Sequence, residues 1–103
     1  MSIPNDWQNP ISALPGATQA GVDPSQLLPS RPDLVRTRLE VQRHLIRTGT
    51  PRFTPVRVTA DGVIFDGHHM VRAAAEEGKL IDVRVVGVTQ PSIGDLIMDL
   101  PVR

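Results

Sequence analysis

The run Val63-Ile64-Phe65-Asp66-Gly67-His68-His69-Met70-Val71-Arg72 concentrates the side chains best suited to chemistry in this sequence. An apolar stretch passes through Asp-Gly into two adjacent histidines, and an arginine follows close behind. If the apolar stretch is a buried strand and a helix opens at the histidines, the junction presents unpaired backbone N–H groups and the positive end of a helix dipole. Both favour a bound phosphate. Gly67 lets another group approach the backbone closely. Gly67, His68 and His69 are then expected to supply amides, and His69 and Arg72 charge. Free imidazole titrates near ~6.5, so His68 is the candidate general acid–base, with His69 and Asp66 as further candidate catalytic groups. Two adjacent histidines are also what an ordinary exposed helix start contains. Asp66-Gly67 on one side and Arg72 on the other favour the anion reading.

A metal centre fits less well. Neighbouring helical residues point about 100° apart, whereas paired helical ligands usually sit four apart. Asp66 with His68 is the one candidate for a hard divalent ion beside a phosphate, so that Mg²⁺ would accompany a bound nucleotide. The sequence has no cysteine, which excludes thiolate metal sites, iron–sulfur clusters, disulfides and a cysteine nucleophile. It has no Gly-x-x-x-x-Gly-Lys-Ser/Thr or Gly-x-Gly-x-x-Gly loop, and no serine in a nucleophile elbow.

The elements that position this segment follow from periodicity. Residues 33–48 read as a helix, with Asp33 in its first turn and Gly49 closing it, and with Pro51 beyond. Leu34, Val35, Leu39, Val41, Leu45 and Ile46 fall on one stripe, with Arg36, Arg43 and Arg47 opposite. Arg38 lies inside the stripe. It either snorkels to the surface or has an anionic partner, which makes it a candidate ligand-binding residue. Residues 55–59 and 63–65 read as two strands joined at Ala60-Asp61-Gly62. Residues 67–77 read as a second helix, N-capped by Asp66 and ended by Gly78. Met70, Val71, Ala74 and Ala75 form its inner stripe. Residues 81–88 alternate as a third strand, and the strand–helix–strand unit at 63–88 is expected to cross over right-handedly. Ser92 and Asp95 bracket the start of a short helix with Ile93, Leu96, Ile97 and Leu100 inward. The expected fold class is α+β: a small mixed three-stranded sheet packed by two main helices and a short C-terminal helix.

With 103 residues, the chain makes one domain at most. Prolines at 4, 10, 15, 24, 29 and 32 leave no apolar period in residues 1–32, which read as a Pro-rich extended arm ahead of a domain at 33–103. Trp7, Ile11, Leu14, Leu27 and Leu28 are the residues able to tack that arm onto the domain or onto a protein partner. Formal net charge is zero, yet residues 31–57 carry seven arginines against Asp33 and Glu40. Ten of the eleven basic residues are arginine, which forks onto phosphate or carboxylate better than lysine does. No apolar run approaches the ~18–20 residues of a membrane span. The first residues lack the basic start and apolar core of a signal peptide.

The stretch from Leu34 to Val86 resembles the ParB/sulfiredoxin-like superfamily. The resemblance runs through the leucine-bearing helix, Pro55-Val56-Arg57-Val58, the Asp61-Gly62 turn, Ile64-Phe65-Asp66-Gly67-His68-His69, Arg72-Ala73-Ala74, Gly78-Lys79 and Ile81-Asp82-Val83-Arg84-Val85-Val86. It covers about half the chain, and the strand–Asp-Gly-His-His–helix piece is its specific part. ParB-type domains carry a glycine, a glutamate and two arginines at this turn, which contact nucleotide phosphates. The resemblance places Gly67 at the glycine, His68 at the glutamate, His69 and Met70 at the arginines, and Arg72 at a further arginine. Sulfiredoxins carry glycine, cysteine, histidine and arginine there. Gly67 and His69 match, while His68 replaces the cysteine and Met70 the arginine. Without a cysteine, sulfinic-acid reduction is excluded.

These readings converge on a domain that binds a nucleotide or a nucleic-acid backbone at Asp66-Gly67-His68-His69, with Arg72 and Arg38 as further ligand contacts. If it is an enzyme, phosphodiester cleavage or phosphoryl transfer fits, as in a ParB-like nuclease or toxin-type domain. The expected location is the cytoplasm, or the tip of a secreted effector. The alternative is a non-enzymatic interaction module that uses the arm and the C-terminal helix.

Overall fold

Alternation along Ile81-Asp82-Val83-Arg84-Val85-Val86 puts Ile81, Val83 and Val85 on one face of a strand. A computed structural model, which describes residues 3–50 and 55–103, buries those three and exposes Asp82 and Arg84. Pro51 lies outside the described residues. The elements in chain order are β1 (Thr18–Val22), α1 (Arg36–Thr48), β2 (Val56–Thr59), β3 (Ile64–Asp66), α2 (His68–Glu76) and β4 (Ile81–Val86). Single 3₁₀ turns stand at Pro24–Gln26 and Ile97–Asp99. The fold is α+β, with two helices and a mixed sheet of order β1-β4-β2-β3.

The sheet has four strands where the sequence suggested three. The added strand, β1, comes from the stretch read as an arm, and pairs antiparallel with β4. It carries no alternating signature because only Val22 is buried, while its other residues are small or polar and sit on the sheet edge. Gly21, at φ 68°, lies where its register shifts. Beyond β1 the chain stays packed: Pro24, Leu27, Leu28 and Pro29 are buried. Leu28 donates its N–H to the Gly62 carbonyl and accepts from Ile64, which covers the outer edge of β3.

β2 runs parallel to β4 and antiparallel to β3. β3 and β4 therefore run in opposite directions with β2 between them. The right-handed rule for parallel crossovers does not apply to the unit at 63–88, because the parallel pair is β2 with β4.

Helix α1 starts at Arg36 rather than at residue 33. Leu34 is drawn into a bridge with Val102, donating to the Pro101 carbonyl and accepting from Arg103. Asp33 therefore lies outside the helix and pairs with Arg103 at 2.9 Å. Gly49, at φ 69°, closes the helix in the left-handed conformation that favours glycine. Of the expected stripe, Leu39 faces the core and Ile46 packs against it, but Val41 is 57% exposed. Arg43 does not face solvent with Arg36 and Arg47. It turns to α2 and grips both Glu76 oxygens at 2.7 Å.

Val71, Ala73 and Ala74 seat α2 on the core with Leu27, Leu34, Ile64 and Ile97. Asp66 is not its cap: it ends β3 and pairs with Arg57 at 2.9 Å. The cap position is Gly67, at φ 102°, a backbone conformation that a side chain would strain. The short helix expected from Ser92 shrinks to the turn Ile97–Asp99, because Gly94 at φ 86° breaks the run and the Ser92 hydroxyl accepts the Gly94 N–H instead. No helix among the described residues is long and apolar enough to cross a membrane.

Candidate functional site

A helix start leaves its first N–H groups without intrahelical partners. In α2 the first backbone bond is donated by Val71 to Gly67. Among the described residues, no backbone carbonyl receives the N–H of His68, His69 or Met70. The residues that carry these amides line an open pocket of about 330 Å³. One wall is a face of α1 formed by Arg38, Val41 and Gln42, which are neighbours at i, i+3 and i+4. The rim is Arg31, from the segment that leads into α1, and the remaining lining runs from Asp66 to Met70.

The histidines hold that rim in place. His68 Nε2 accepts the Ser30 backbone N–H at 3.0 Å, and His69 Nε2 accepts the Val35 N–H at 2.9 Å. A backbone amide can only donate, so both Nε2 atoms are unprotonated and the neutral rings carry their proton on Nδ1. The Ser30 hydroxyl donates to the Ile64 carbonyl at 2.7 Å, tying the same segment to β3. Burial, followed by the positive charges of Arg31 and protonated His69, pushes His68 down to about 4; nearby Asp66 opposes the shift. Burial and the guanidiniums of Arg31 and Arg38 push His69 below the usual imidazole value. Both rings are therefore neutral at pH 7.

The positive charge in the pocket belongs to the arginines. Arg31 Nε is buried with no hydrogen-bond partner, and its Nη2 reaches Asp33 only at 3.9 Å. Arg38 has no hydrogen bond or ion pair with any described residue. The acidic group is Asp66, whose Oδ2 takes Arg57 while that guanidinium sits 5.4 Å from the centre of the Phe65 ring. Val41 and Met70 add an apolar strip.

The structure thus brings Asp66, Gly67, His68, His69 and Arg38 around one pocket. It does not bring Arg72 there. Arg72 points to the C-terminal segment, pairing with Glu76 at 2.9 Å and donating to the carbonyls of Ile97 and Leu100 at 3.2 and 3.0 Å. Arg31, which sequence reasoning missed, takes the place given to Arg72. The available signal was local: Pro32 restricts the backbone of Arg31 to an extended form, so the side chain at the front of the basic block is held away from any helix. No group of three or more His, Cys, Asp or Glu side chains among the described residues is placed to hold a metal ion. Comparison with known proteins finds no matching family model, curated protein or solved structure.

Proposed function

We propose that this protein binds a phosphate-bearing ligand, a nucleotide or a nucleic-acid backbone, in the pocket at the start of α2. The observation that carries the reading is that two guanidiniums lacking close carboxylate partners, Arg31 and Arg38, line the same pocket as His68, His69 and Met70, whose amides have no carbonyl partner among the described residues. Oriented amides, a helix dipole and forked cations all favour a multiply charged oxyanion. Val41 and Met70 offer an apolar surface to the rest of the ligand. The resemblance to ParB/sulfiredoxin-like domains belongs to this proposal, since it assigns phosphate contacts to the same turn.

Within it, binding is favoured over proton transfer. His68 has its Nε2 lone pair filled by Ser30 and its pKa pushed to about 4, which leaves it a poor acid or base near neutrality. The partner-binding alternative loses support as well, because Ile11, Leu27 and Leu28 are spent in the core.

The test is thermal or urea unfolding with inorganic phosphate, mononucleotides, and short DNA and RNA, each with and without Mg²⁺. A ligand at a hundred times its dissociation constant adds about 2.7 kcal/mol. Stabilisation that falls to about half in Arg38→Ala, as a tenfold loss of affinity requires, supports the pocket. Equal stabilisation of wild type and Arg38→Ala contradicts it. Turnover of a labelled substrate that falls ~10²–10⁴-fold in His68→Ala, in a protein that stays folded, would restore the catalytic role.

A further inference from the structure

The residues between Leu28 and Leu34 form an arch between two fixed feet, with Asp33 paired to Arg103 near the far one. On one side Leu28 is paired with Gly62 and Ile64, and on the other Leu34 is paired with Pro101 and Arg103. Between these feet the arch carries Arg31 over the pocket. Its hold inward is the Ser30 N–H on His68 and the Ser30 hydroxyl on Ile64, while His69 takes the Val35 N–H at the far foot, beside the Arg36 N–H on the Arg103 carbonyl.

We propose that His68 and His69 are positioning residues, an acid-sensitive double latch that sets Arg31 over the anion pocket, so that acidification releases the arch and empties the site. The second half of this statement rests on the phosphate-binding reading, and the first half does not. With its Nδ1 already protonated, each ring can take a second proton only at Nε2, where a backbone N–H already points. Protonation would set two donors face to face, so the bond must break.

The groups facing the rings reinforce the coupling. Arg31 from the arch and Arg38 from α1 oppose a positive imidazole, and His69 opposes His68. Asp66 favours one, but its carboxylate is shared with Arg57. Asp33, on the arch, lies beside Arg31.

The consequence inverts the usual rule. Where histidines contact an anion directly, acid strengthens binding and the anion raises the imidazole pKa. Here the anion binds only the closed, neutral form, so acid weakens binding and the anion lowers the pH at which the rings protonate. The two effects are reciprocal by linkage.

The experiment follows the ring protons of His68 and His69, and the backbone amides of Ser30 and Val35, by NMR from pH 7.5 to 3.5, with and without sulfate. Sulfate stays almost wholly dianionic over this range. The expected result is that each amide shifts with protonation of its own histidine, that sulfate moves the midpoints to lower pH, and that sulfate affinity falls about tenfold between pH 7.5 and 3.5. In His69→Gln and His68→Gln, where an amide oxygen can accept the bond without titrating, that pH ratio should shrink to within about threefold, whatever the affinity at pH 7.5. His69→Gln is the safer variant because the ring is only half-buried.

Midpoints that rise with sulfate, or tighter binding in acid, would overturn the latch. So would Ser30 and Val35 amides that ignore histidine protonation. Failure of sulfate to bind wild type at pH 7.5 would remove the phosphate reading alone, and the two amides would still decide the latch.

Discussion

Two regions of the α1–α2 layer use arginine in opposite ways. Along the seam between the helices, Arg43 and Arg72 converge on Glu76. Arg43 also meets Glu40, and Arg72 adds two backbone carbonyls. At the open end of the same seam, about two turns of α2 away, Arg31 and Arg38 have no comparable partners. The first region is a closed structural network. The second is an array of donors still lacking acceptors. Arginine content alone does not separate them. The difference is whether the fold has already supplied the acceptors, and it is why we propose the pocket rather than the basic block as the site.

The largest expected effect concerns pH and the histidines beneath the pocket. The folded-state value of His68 is near 4 against about 6.5 unfolded, so the unfolded chain binds more protons between those values. Stability is then fully present above pH 6.5 and falls as pH drops toward 4, by about 3 kcal/mol from this ring alone. Urea unfolding across that range measures it, and a flat profile would deny the depressed imidazole. Glu76 acts in a separate, lower window. Its carboxyl is held below the usual value, chiefly by Arg43, so its stabilisation is lost only as pH falls below the ordinary carboxylate range.

The next effect breaks the closed network. Glu76→Ala removes the carboxylate shared by two guanidiniums that are each less than a quarter exposed, and should cost about 2–3 kcal/mol by denaturant unfolding. Arg31→Ala and Arg38→Ala should behave conversely. Each should leave stability within ~0.5 kcal/mol but weaken phosphate binding about tenfold, the loss of one charge-assisted contact. A large stability loss in Arg38→Ala would erase the contrast between the regions. The smallest effect is at Arg47, whose exposed pair with Glu77 at 3.3 Å should be worth under ~0.5 kcal/mol. Arg47→Ala therefore serves as the control that neither binds nor stabilises.

The pieces legible in sequence were those with local rules. Alternation marked β4, a glycine marked the C-terminal end of each helix, and the Asp66-Gly67-His68-His69 junction was found from its order of residues alone. What stayed hidden was set by long-range bonds. β1 buries one residue out of its five, and nothing local distinguishes it from coil. His68 and His69 read as chemical groups because their partners, Ser30 and Val35, lie 38 and 34 residues away. The first of those bonds fixes Ser30, the neighbour of Arg31. Arg72 is one turn along α2 from His68 and His69, yet Ile97 and Leu100 claim it through contacts 25 and 28 residues distant.

What we propose above all is that the pocket takes a phosphate. A titration of wild type, Arg31→Ala and Arg38→Ala with inorganic phosphate and a mononucleotide at pH 7.5, followed through every backbone amide by NMR, tests it most directly. The account predicts saturable shifts centred on the His68, His69 and Met70 amides in wild type, and weakened about tenfold in each variant. Shifts that do not saturate, that centre on exposed arginines such as Arg36 or Arg84, or that persist at full strength in both variants would contradict it.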